Sequence, residues 1–404
     1  MSSVDFLDKL LDGEAVEWRA LGEVTNVLRG KRLTKSQLVD GASYPVFHGG
    51  LEPLGYYVEL NRPAKSVMII NVGASAGTVG YSAVDFWSSD GCFCLEHSEL
   101  LNGRFLYFAV IGHQNFLRSK VRVAGIPTLD AVVVEKIQIP IPCPDNPKKS
   151  LEIQAEIVRI LDAFTELTAE LTAELTAELT ARKKQYNYYR DQLLSFADGE
   201  VNRLPLGHPE VGKFIRGGGL QKKDFTEHGV GCIHYGQIYT HYGTYADRTK
   251  TFVSEEFFKK ARKAQAGDLV IATTSENDED VCKAVAWLGM DEIAVSSDAC
   301  IYRHNLNPKY VSYFFQTEQF QKQKRQHITG TKVRRVNADD LAKLLIPIPS
   351  PEEQARIVAI LDKFDALTNS LTEGLPREIE LRQKQYAYYR DLLLSFPTPE
   401  KVEA

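Results

Sequence analysis

The sequence is poor in the residues that build disulfide frameworks and metal sites. Its 404 residues include only six cysteines, none in a Cys-x-x-Cys pair and none with histidines at a matching spacing. Isolated cysteines of this kind are usually buried free thiols, and a metal site is the alternative that the pattern leaves open. The cysteines are Cys92, Cys94, Cys143, Cys232, Cys282 and Cys300.

Long hydrophobic runs are also absent. No stretch approaches the roughly 18 consecutive apolar residues of a membrane-spanning helix, so none is predicted. The opening segment, MSSVDFLDKLLDGEAVEW, carries acidic side chains where a signal peptide would need a basic start and an apolar middle. We therefore expect a cytoplasmic protein.

The short motifs of nucleotide binding and catalysis are missing as well. The sequence has no G-x-x-x-x-G-K-[ST] phosphate loop, no G-x-G-x-x-G fingerprint and no H-E-x-x-H zinc motif. It also lacks the proline-rich aromatic motif of adenine methyltransferases and the acid–acid–lysine constellation of nucleases. These absences predict a chain without catalytic residues, a metal ion or a bound cofactor.

Negative charge is concentrated in two parts of the chain. The net charge is −5, but residues 151–200 carry −5 and residues 350–404 carry −3. Residues 1–150 are almost neutral at −1, and residues 201–349 carry +4. A net negative charge disfavours DNA binding, yet the two larger segments are neutral or basic, so nucleic acid could bind to them.

An internal repeat decides the architecture. Residues 154–196 align without gaps with residues 354–396, and 26 of the 43 positions are identical. The string IPIP precedes each copy, at 139–142 and at 346–349, and reads as a short extended segment. The opening residues 8–18 resemble the end of the first copy, which predicts a circular arrangement with neighbouring termini and an approximate two-fold repeat.

Both copies of the repeat have the pattern of long helices. Ser350 and Pro351 form a helix start, with a capping serine and proline at the first helical position. Residues 154–196 contain neither proline nor glycine, whereas Gly374 and Pro376 predict a kink in the second copy. A single apolar stripe does not stabilise so long a helix alone, so each copy is predicted to pack against the other.

A low-complexity run, LTAELTAELTAELTA, occupies residues 167–181. Its leucines recur every four residues, so the apolar stripe drifts by about 40° around the helix in each unit. The run is an extended helix with a leucine seam, and we hypothesise that it also acts as a spacer of adjustable length. The predicted spacer residues are Leu167, Leu171, Leu175, Leu179, Leu367 and Leu371.

The segments outside the helices match each other poorly, and both mix strand and helix patterns. Each is therefore predicted to be an α+β globular domain. The predicted division is 1–150 for the first domain with the N-terminal segment, 151–200 for the central helix, 201–349 for the second domain and 350–404 for the C-terminal helix.

Basic, glycine-bearing and aromatic loops are the candidate reading surfaces of these domains. Lysine and arginine would hold phosphates, while arginine, glutamine, asparagine and threonine could read base edges. A merely solvated charged surface is the alternative for each loop. The predicted DNA-binding residues are Lys31, Arg32, Lys35, Arg216, Lys222, Lys223, Tyr235, Gln237, Lys322, Lys324, Arg325, Lys332, Arg334 and Arg335.

This organisation resembles the specificity subunit of type I restriction–modification enzymes over essentially the whole chain. The likeness rests on two unlike domains, an IPIP segment before each repeated helix, and the TAEL units, which with RKKQYNYYRDQLLSF look like the IC family. The resemblance implies two target-recognition domains separated by two long helices that pair as an antiparallel coiled coil. The fold would be α+β with an internal pseudo-two-fold repeat.

The same resemblance implies a mechanism. Each domain would read half of a split, asymmetric DNA site, and the helices would set the gap and dock two methyltransferase subunits. Those partners would use S-adenosylmethionine, and restriction subunits would use ATP and Mg²⁺. Two other classes remain open from the residues: a self-contained DNA-modifying enzyme, which the missing motifs disfavour, and a coiled-coil scaffold, which leaves two unlike domains unexplained.

Overall fold

The computed structural model describes residues 7, 9–369 and 374–397. The chain divides into two compact units: unit 1 comprises residues 1–172 and 381–404, and unit 2 comprises residues 173–380. In unit 1 the indole Nε1 of Trp18 donates a hydrogen bond to the carbonyl of Pro397 at 3.0 Å. Described residues from near the beginning and near the end of the chain therefore lie in one unit.

The described residues of unit 1 form nine strands and several helices. The strands are β1 (Val16–Ala20), β2 (Thr25–Arg29), β3 (Tyr44–Phe47), β4 (Gly55–Tyr57), β5 (Ser66–Ile70), β6 (Val79–Ser82), β7 (Trp87–Ser88), β8 (Cys92–His97) and β9 (Gln138–Pro142). The helices are α1 (Leu21–Val24), α2 (Gly103–Gly112), α3 (Gln114–Ser119), α4 (Ala131–Glu135) and the first part of α5 (Pro147–Leu193).

Unit 2 contains the rest of α5 and a second set of elements. Its strands are β10 (Asn202–Pro205), β11 (Gly212–Arg216), β12 (Val230–Ile233), β13 (Tyr245–Ala246), β14 (Thr251–Val253), β15 (Lys263–Ala264), β16 (Leu269–Ala272), β17 (Thr274–Ser275), β18 (Ala284–Trp287), β19 (Ile293–Val295), β20 (Ala299–His304), β21 (Arg334–Arg335) and β22 (Leu345–Ile348). Its helices are α6 (Tyr235–Thr240), α7 (Glu255–Lys260), α8 (Pro308–Phe314), α9 (Glu318–Arg325), α10 (Ala338–Leu341), α11 (Pro351–Asn369) and the start of α12 (Gly374–Leu393).

The two units share one plan despite their poor sequence match. The main sheet of unit 1 has the order β2-β8-β5-β6, and that of unit 2 has the order β11-β20-β16-β18-β13. The first four strands correspond one to one and are all antiparallel to their neighbours. Both IPIP segments form strands, which pair with β1 and β10. The α+β class and the internal repeat are therefore confirmed.

Each main sheet is joined to its repeated helix by the same buried glutamine. Gln154 of α5 accepts a hydrogen bond from the backbone N–H of Asn102 at 2.8 Å, and Gln354 of α11 accepts one from Asn307 at 2.8 Å. Both glutamines are buried, and both asparagines cap the helix that follows the sheet. Identical residues of the repeat thus make identical junctions.

The repeated helices pack against each other through a duplicated aromatic contact. In unit 1 the rings of Phe164 and Tyr389 stack at 5.7 Å, and the hydroxyls of Thr165 and Tyr386 lie 2.9 Å apart. In unit 2 the equivalent residues, Phe364 and Tyr189, stack at 5.6 Å. Phe164, early in the first copy of the repeat, contacts Tyr389, late in the second copy, whereas Tyr189, late in the first copy, contacts Phe364, early in the second. The two helices therefore run in opposite directions, and the predicted antiparallel pairing is confirmed.

Two helix boundaries test the sequence signals directly. The α11 helix begins at Pro351, and the hydroxyl of Ser350 accepts a hydrogen bond from the N–H of Glu353 at 3.3 Å, as the capping pattern predicts. The first helix begins earlier than predicted, at Pro147, because Asn146 caps it through a bond from Lys149 N–H. Residues 143–146 are therefore the whole connection between β9 and this helix.

The second copy of the repeat is broken where glycine and proline predict a kink. Gly374 opens α12 with φ of +77°, in the left-handed region that favours glycine. A Cβ at this position would lie 2.5 Å from the carbonyl oxygen of Leu367. Leu371, one of the predicted spacer residues, lies outside the described residues.

The cysteines lie inside the units, as expected for buried thiols. All six are free and buried. Among the described residues, no group of three or more histidine, cysteine or acidic side chains is placed to hold a metal ion. No helix in the described part of the chain is long and apolar enough to cross a membrane.

Candidate nucleic-acid interface

The main sheet of unit 1 has one end from which long loops emerge. Arg29 closes β2 opposite Phe93 of β8, and Ile70 closes β5 opposite Cys92. Because β2 and β5 are both antiparallel to β8, they run in the same direction, and the loops after them leave from the same end of the sheet. We call this the loop end. In unit 2 the loops after β11 and β16 leave from the corresponding end.

The opposite end of each sheet faces a repeated helix. In unit 1, His97 closes β8 beside Gly103 at the start of α2, and the preceding Asn102 is bound by Gln154. In unit 2, Asn307 and Gln354 occupy the same places. We call this the helix end. The loop end is therefore the part of each sheet that is left for a ligand.

Three predicted residues of unit 1 lie together at its loop end. Lys31, Arg32 and Lys35 are exposed on the loop that follows β2. The loop turns over the Ser-Ser-Asp segment at Gly30, where a Cβ would lie 2.1 Å from the carbonyl oxygen of Ser89. Only glycine permits so close an approach of two backbones, so this residue positions the basic loop.

Unit 2 repeats this arrangement with different basic residues. Arg216 closes β11, and Gly217 approaches the second Ser-Ser-Asp segment, where a Cβ would lie 1.9 Å from the carbonyl oxygen of Ser296. Lys222 and Lys223 follow on an exposed turn. Gly30 and Gly217 thus hold the first loop of each unit against a Ser-Ser-Asp segment, residues 88–90 and 296–298.

The predicted polar residues on α6 are less available than the lysines. The amide of Gln237 is bound inside unit 2, accepting from His234 N–H at 3.0 Å and donating to the hydroxyl of Thr251 at 3.0 Å. Tyr235 is partly buried beside it. Burial and the positive charge of Lys222 lower the pKa of His234, so its ring is neutral at neutral pH.

A hairpin carries the second basic group of unit 2. Residues 329–335, the unit 2 hairpin, are closed by two 2.9 Å backbone hydrogen bonds between Thr329 and Arg335. Arg335 also pairs with Thr274, just after β16, which places the hairpin at the loop end. Lys332 and Arg335 are exposed, whereas Arg334 forms an ion pair with Asp278 at 2.8 Å.

The prediction for Lys324 is wrong. Its side chain is fully buried, and its Nζ donates to the carbonyls of Glu279 and Val281 at 3.0 and 2.8 Å. Burial lowers the pKa of this amine. The reason is helical spacing: Lys324 follows the buried Phe320 by four residues, so it lies on the inward face of α9.

The two other predicted residues of α9 are exposed. Lys322 is exposed, and Arg325 forms an ion pair with Glu318 at 3.2 Å. The helix starts near the helix end, because the backbone N–H of Glu318 lies 3.3 Å from the carboxylate of Asp191 in α5. The other end of α9 lies beside the segment that pairs with the hairpin, because Lys324 donates to the carbonyl of Glu279, next to Asp278, the ion-pair partner of Arg334.

Sequence reasoning missed the matching hairpin of unit 1. Residues 122–128, the unit 1 hairpin, are closed by backbone hydrogen bonds of 2.9 and 3.0 Å between Arg122 and Thr128. Its tip is apolar, so a search for basic loops passes over it, although Arg118 and Lys120 precede it and are exposed. When residues 122–128 are shifted along the sequence by the distance between the two IPIP segments, they align with the unit 2 hairpin.

The predicted spacer leucines are unequally covered. Leu171, Leu175 and Leu179 of α5 and Leu367 of α11 are partly buried. Leu167, in contrast, is 50% exposed. The four-residue period turns the leucines gradually around the helix, so one at the edge of the run stands off the seam.

Comparison with known proteins identifies relatives along the whole chain. Residues 14–181 and 210–381 match the family model for the type I restriction modification DNA specificity domain. The type I restriction enzyme EcoR124I/EcoR124II specificity subunit of Escherichia coli is 39% identical over 100% of both chains. A putative type I restriction enzyme specificity subunit of Haemophilus influenzae is 36% identical over 97% of this chain and 98% of its own.

A solved structure supports the fold. It comes from work on complex assembly and conformational transition of the type I R-M system, and it aligns with a TM-score of 0.61 at 15% identity. The alignment covers 94% of this chain and 97% of the other.

The unit 2 hairpin gives a direct test of the interface. Replacing Lys332, Arg334 and Arg335 together by alanine should weaken DNA binding by the assembled complex. The slope of log K against log salt should fall by about 0.9 for each phosphate that is no longer neutralised. Alanine at the exposed Lys136, which follows α4, is a single-charge control and should leave the slope unchanged. An unaltered slope in the triple variant would assign the hairpin to a solvated face.

Proposed function

Because the chain belongs to the type I restriction–modification DNA specificity family, we propose that its two units read the two halves of one split DNA site. The observation that carries this proposal is a shared scaffold with different loops. Corresponding strands end at corresponding loop ends, and the residues presented there differ between the units. Lysine and arginine would bind the phosphates of the DNA backbone, and the remaining loop residues would contact base edges.

We also propose that the repeated helices bind two methyltransferase subunits, one at each copy, and restriction subunits through them. Tyr188 and Tyr388 occupy the same position of the repeat and are 61% and 62% exposed. Burial does not require a tyrosine at either place, so their identity favours a surface that is used twice. Tyrosine is also enriched where one protein contacts another.

Catalysis in this proposal belongs to the partner subunits. The methyltransferase subunits would bind S-adenosylmethionine, and the restriction subunits would bind ATP and Mg²⁺. The absence of the corresponding motifs from this sequence supports that division. The assembly would act on cellular DNA in the cytoplasm.

The division of labour predicts an inactive lone chain. Supplied with S-adenosylmethionine, ATP, Mg²⁺ and DNA, the purified chain should neither transfer methyl groups nor cut. Adding the methyltransferase partner should produce methylation at one sequence, measured with labelled S-adenosylmethionine. Methyl transfer by the lone chain, free of contaminating methyltransferase, would make it an enzyme and overturn the assignment.

The two-reader proposal predicts the result of a domain exchange. Residues 201–349 begin and end at β10 and β22, which pair with each other, so the exchanged piece keeps its own closing strands. Replacing it by the corresponding segment of a relative should change one half of the methylated sequence only. Methylation mapping of DNA from cells with the complete system measures this. A simultaneous change in both halves would contradict the proposal.

The spacer hypothesis predicts the effect of removing one TAEL unit. Deleting residues 172–175 shortens α5 by about 6 Å and leaves a net rotation of about 40°. Neighbouring base pairs of B-DNA differ by about 3.4 Å and about 34–36°. The deletion should therefore keep both half-sites and shorten the unread gap by about one base pair, as read from the methylated sequence.

A shorter deletion is the control for this spacer. Removing residues 172 and 173 alone rotates the apolar seam by about 200°, so the helix pair and the assembly should fail. Intact half-sites with an unchanged gap after the four-residue deletion would show that the run does not set the spacing.

A further inference from the structure

The unit 1 hairpin exposes apolar side chains that the fold does not need. Val123 is 81% exposed and Ile126 is 72% exposed. Gly125 between them has φ of +85°, which turns the tip of the hairpin. Large apolar groups that protrude together from a turn are typical of a binding surface rather than of a core.

Its position places this tip among the candidate DNA contacts. Thr128 forms a bridge with Val72, in the loop after β5, just as Arg335 of the unit 2 hairpin pairs with Thr274. Both hairpins therefore stand at the loop ends of their sheets. The unit 1 hairpin is also preceded by the exposed cations Arg118 and Lys120. An apolar tip beside exposed positive charge is suited to a ligand with phosphates outside and apolar groups within.

The two hairpins present different side chains at their tips. The unit 2 tip carries the exposed Lys332 and the partly buried Arg334 on either side of Val333, which is 45% exposed, whereas the unit 1 tip carries Val123 and Ile126 at 81% and 72% exposure. Hairpins at the same structural position thus expose charged side chains in unit 2 and aliphatic side chains in unit 1. A difference at one structural position is expected of surfaces that read different DNA sequences.

We infer that Val123 and Ile126 are specificity-determining residues that contact thymine C5-methyl groups in the half-site read by unit 1. The inference rests on the proposed function. In the major groove, the C5-methyl group is the apolar mark that distinguishes thymine from the other bases, and the groove is wide enough for a two-stranded ribbon. Phosphates on either side would meet Arg118 and Lys120, whose charges need no particular base.

Deoxyuridine tests this contact, because it removes only the methyl group. The assembled complex would be assayed for methylation and binding on duplexes carrying its mapped site, with each thymine replaced in turn by deoxyuridine. The wild-type complex should lose about fourfold in affinity for each contacted methyl group, which corresponds to one buried carbon. The loss should be confined to one or two positions in a single half-site.

A double variant identifies the residues responsible. Val123→Thr with Ile126→Thr should remove the discrimination between thymine and deoxyuridine at those positions and leave the other half-site unchanged. Val84→Thr is the matched control, because Val84 is 56% exposed in unit 1 and follows β6 at the helix end. That control should keep the wild-type preference.

Three outcomes would overturn the inference. Deoxyuridine without effect at every position would exclude a methyl contact, and so would a unit 1 half-site made of G·C pairs alone. Weaker binding of the double variant to all sequences equally, with no deoxyuridine effect, would indicate an inserted wedge instead. In each case sequence-specific methylation by the wild-type complex would persist, whereas failure of the proposed function would abolish it.

Discussion

The antiparallel contact between the repeated helices is the constraint on which the rest of the structure depends. A helix as long as α5, Pro147–Leu193, with one narrow apolar stripe is stable only against a partner. The stacked rings of Phe164 and Tyr389 in unit 1, and of Phe364 and Tyr189 in unit 2, supply that partner twice. Because the contact is duplicated, unit 1 needs the second half of α12 to complete it, which explains why residues 381–397 belong to unit 1.

A fixed scaffold lets the recognition loops vary. The strands that end at each loop end correspond, and Gly30 and Gly217 hold the first loop close to the sheet in the same way. Beyond these points Leu33 and Leu220 anchor the loops in the core of each unit, while the basic side chains beside them are exposed and can match a ligand. The result is charge on the unit 2 hairpin and hydrocarbon on the unit 1 hairpin, at one position of a common fold.

Features that depend on the repeat and on local helix capping could be predicted from the sequence. Side-chain burial could not, because it is set by tertiary contacts. The repeat, the IPIP strands and the cap at Ser350 follow from short-range patterns. Lys324 does not, because charge density says nothing about which face of a short helix turns inward, although Phe320 four residues earlier carries that signal. The unit 1 hairpin was missed because its tip has no charge, and only the offset between the two halves locates it.

Site-specific photo-crosslinking tests the central claim most directly. A photoreactive amino acid at Lys31 in unit 1 and, separately, at Lys332 in unit 2 would be activated in the assembled complex on DNA carrying its site. The two-reader account predicts crosslinks from the two positions to opposite halves of the methylated sequence. Crosslinks from both positions to the same half, or to neither, would contradict it.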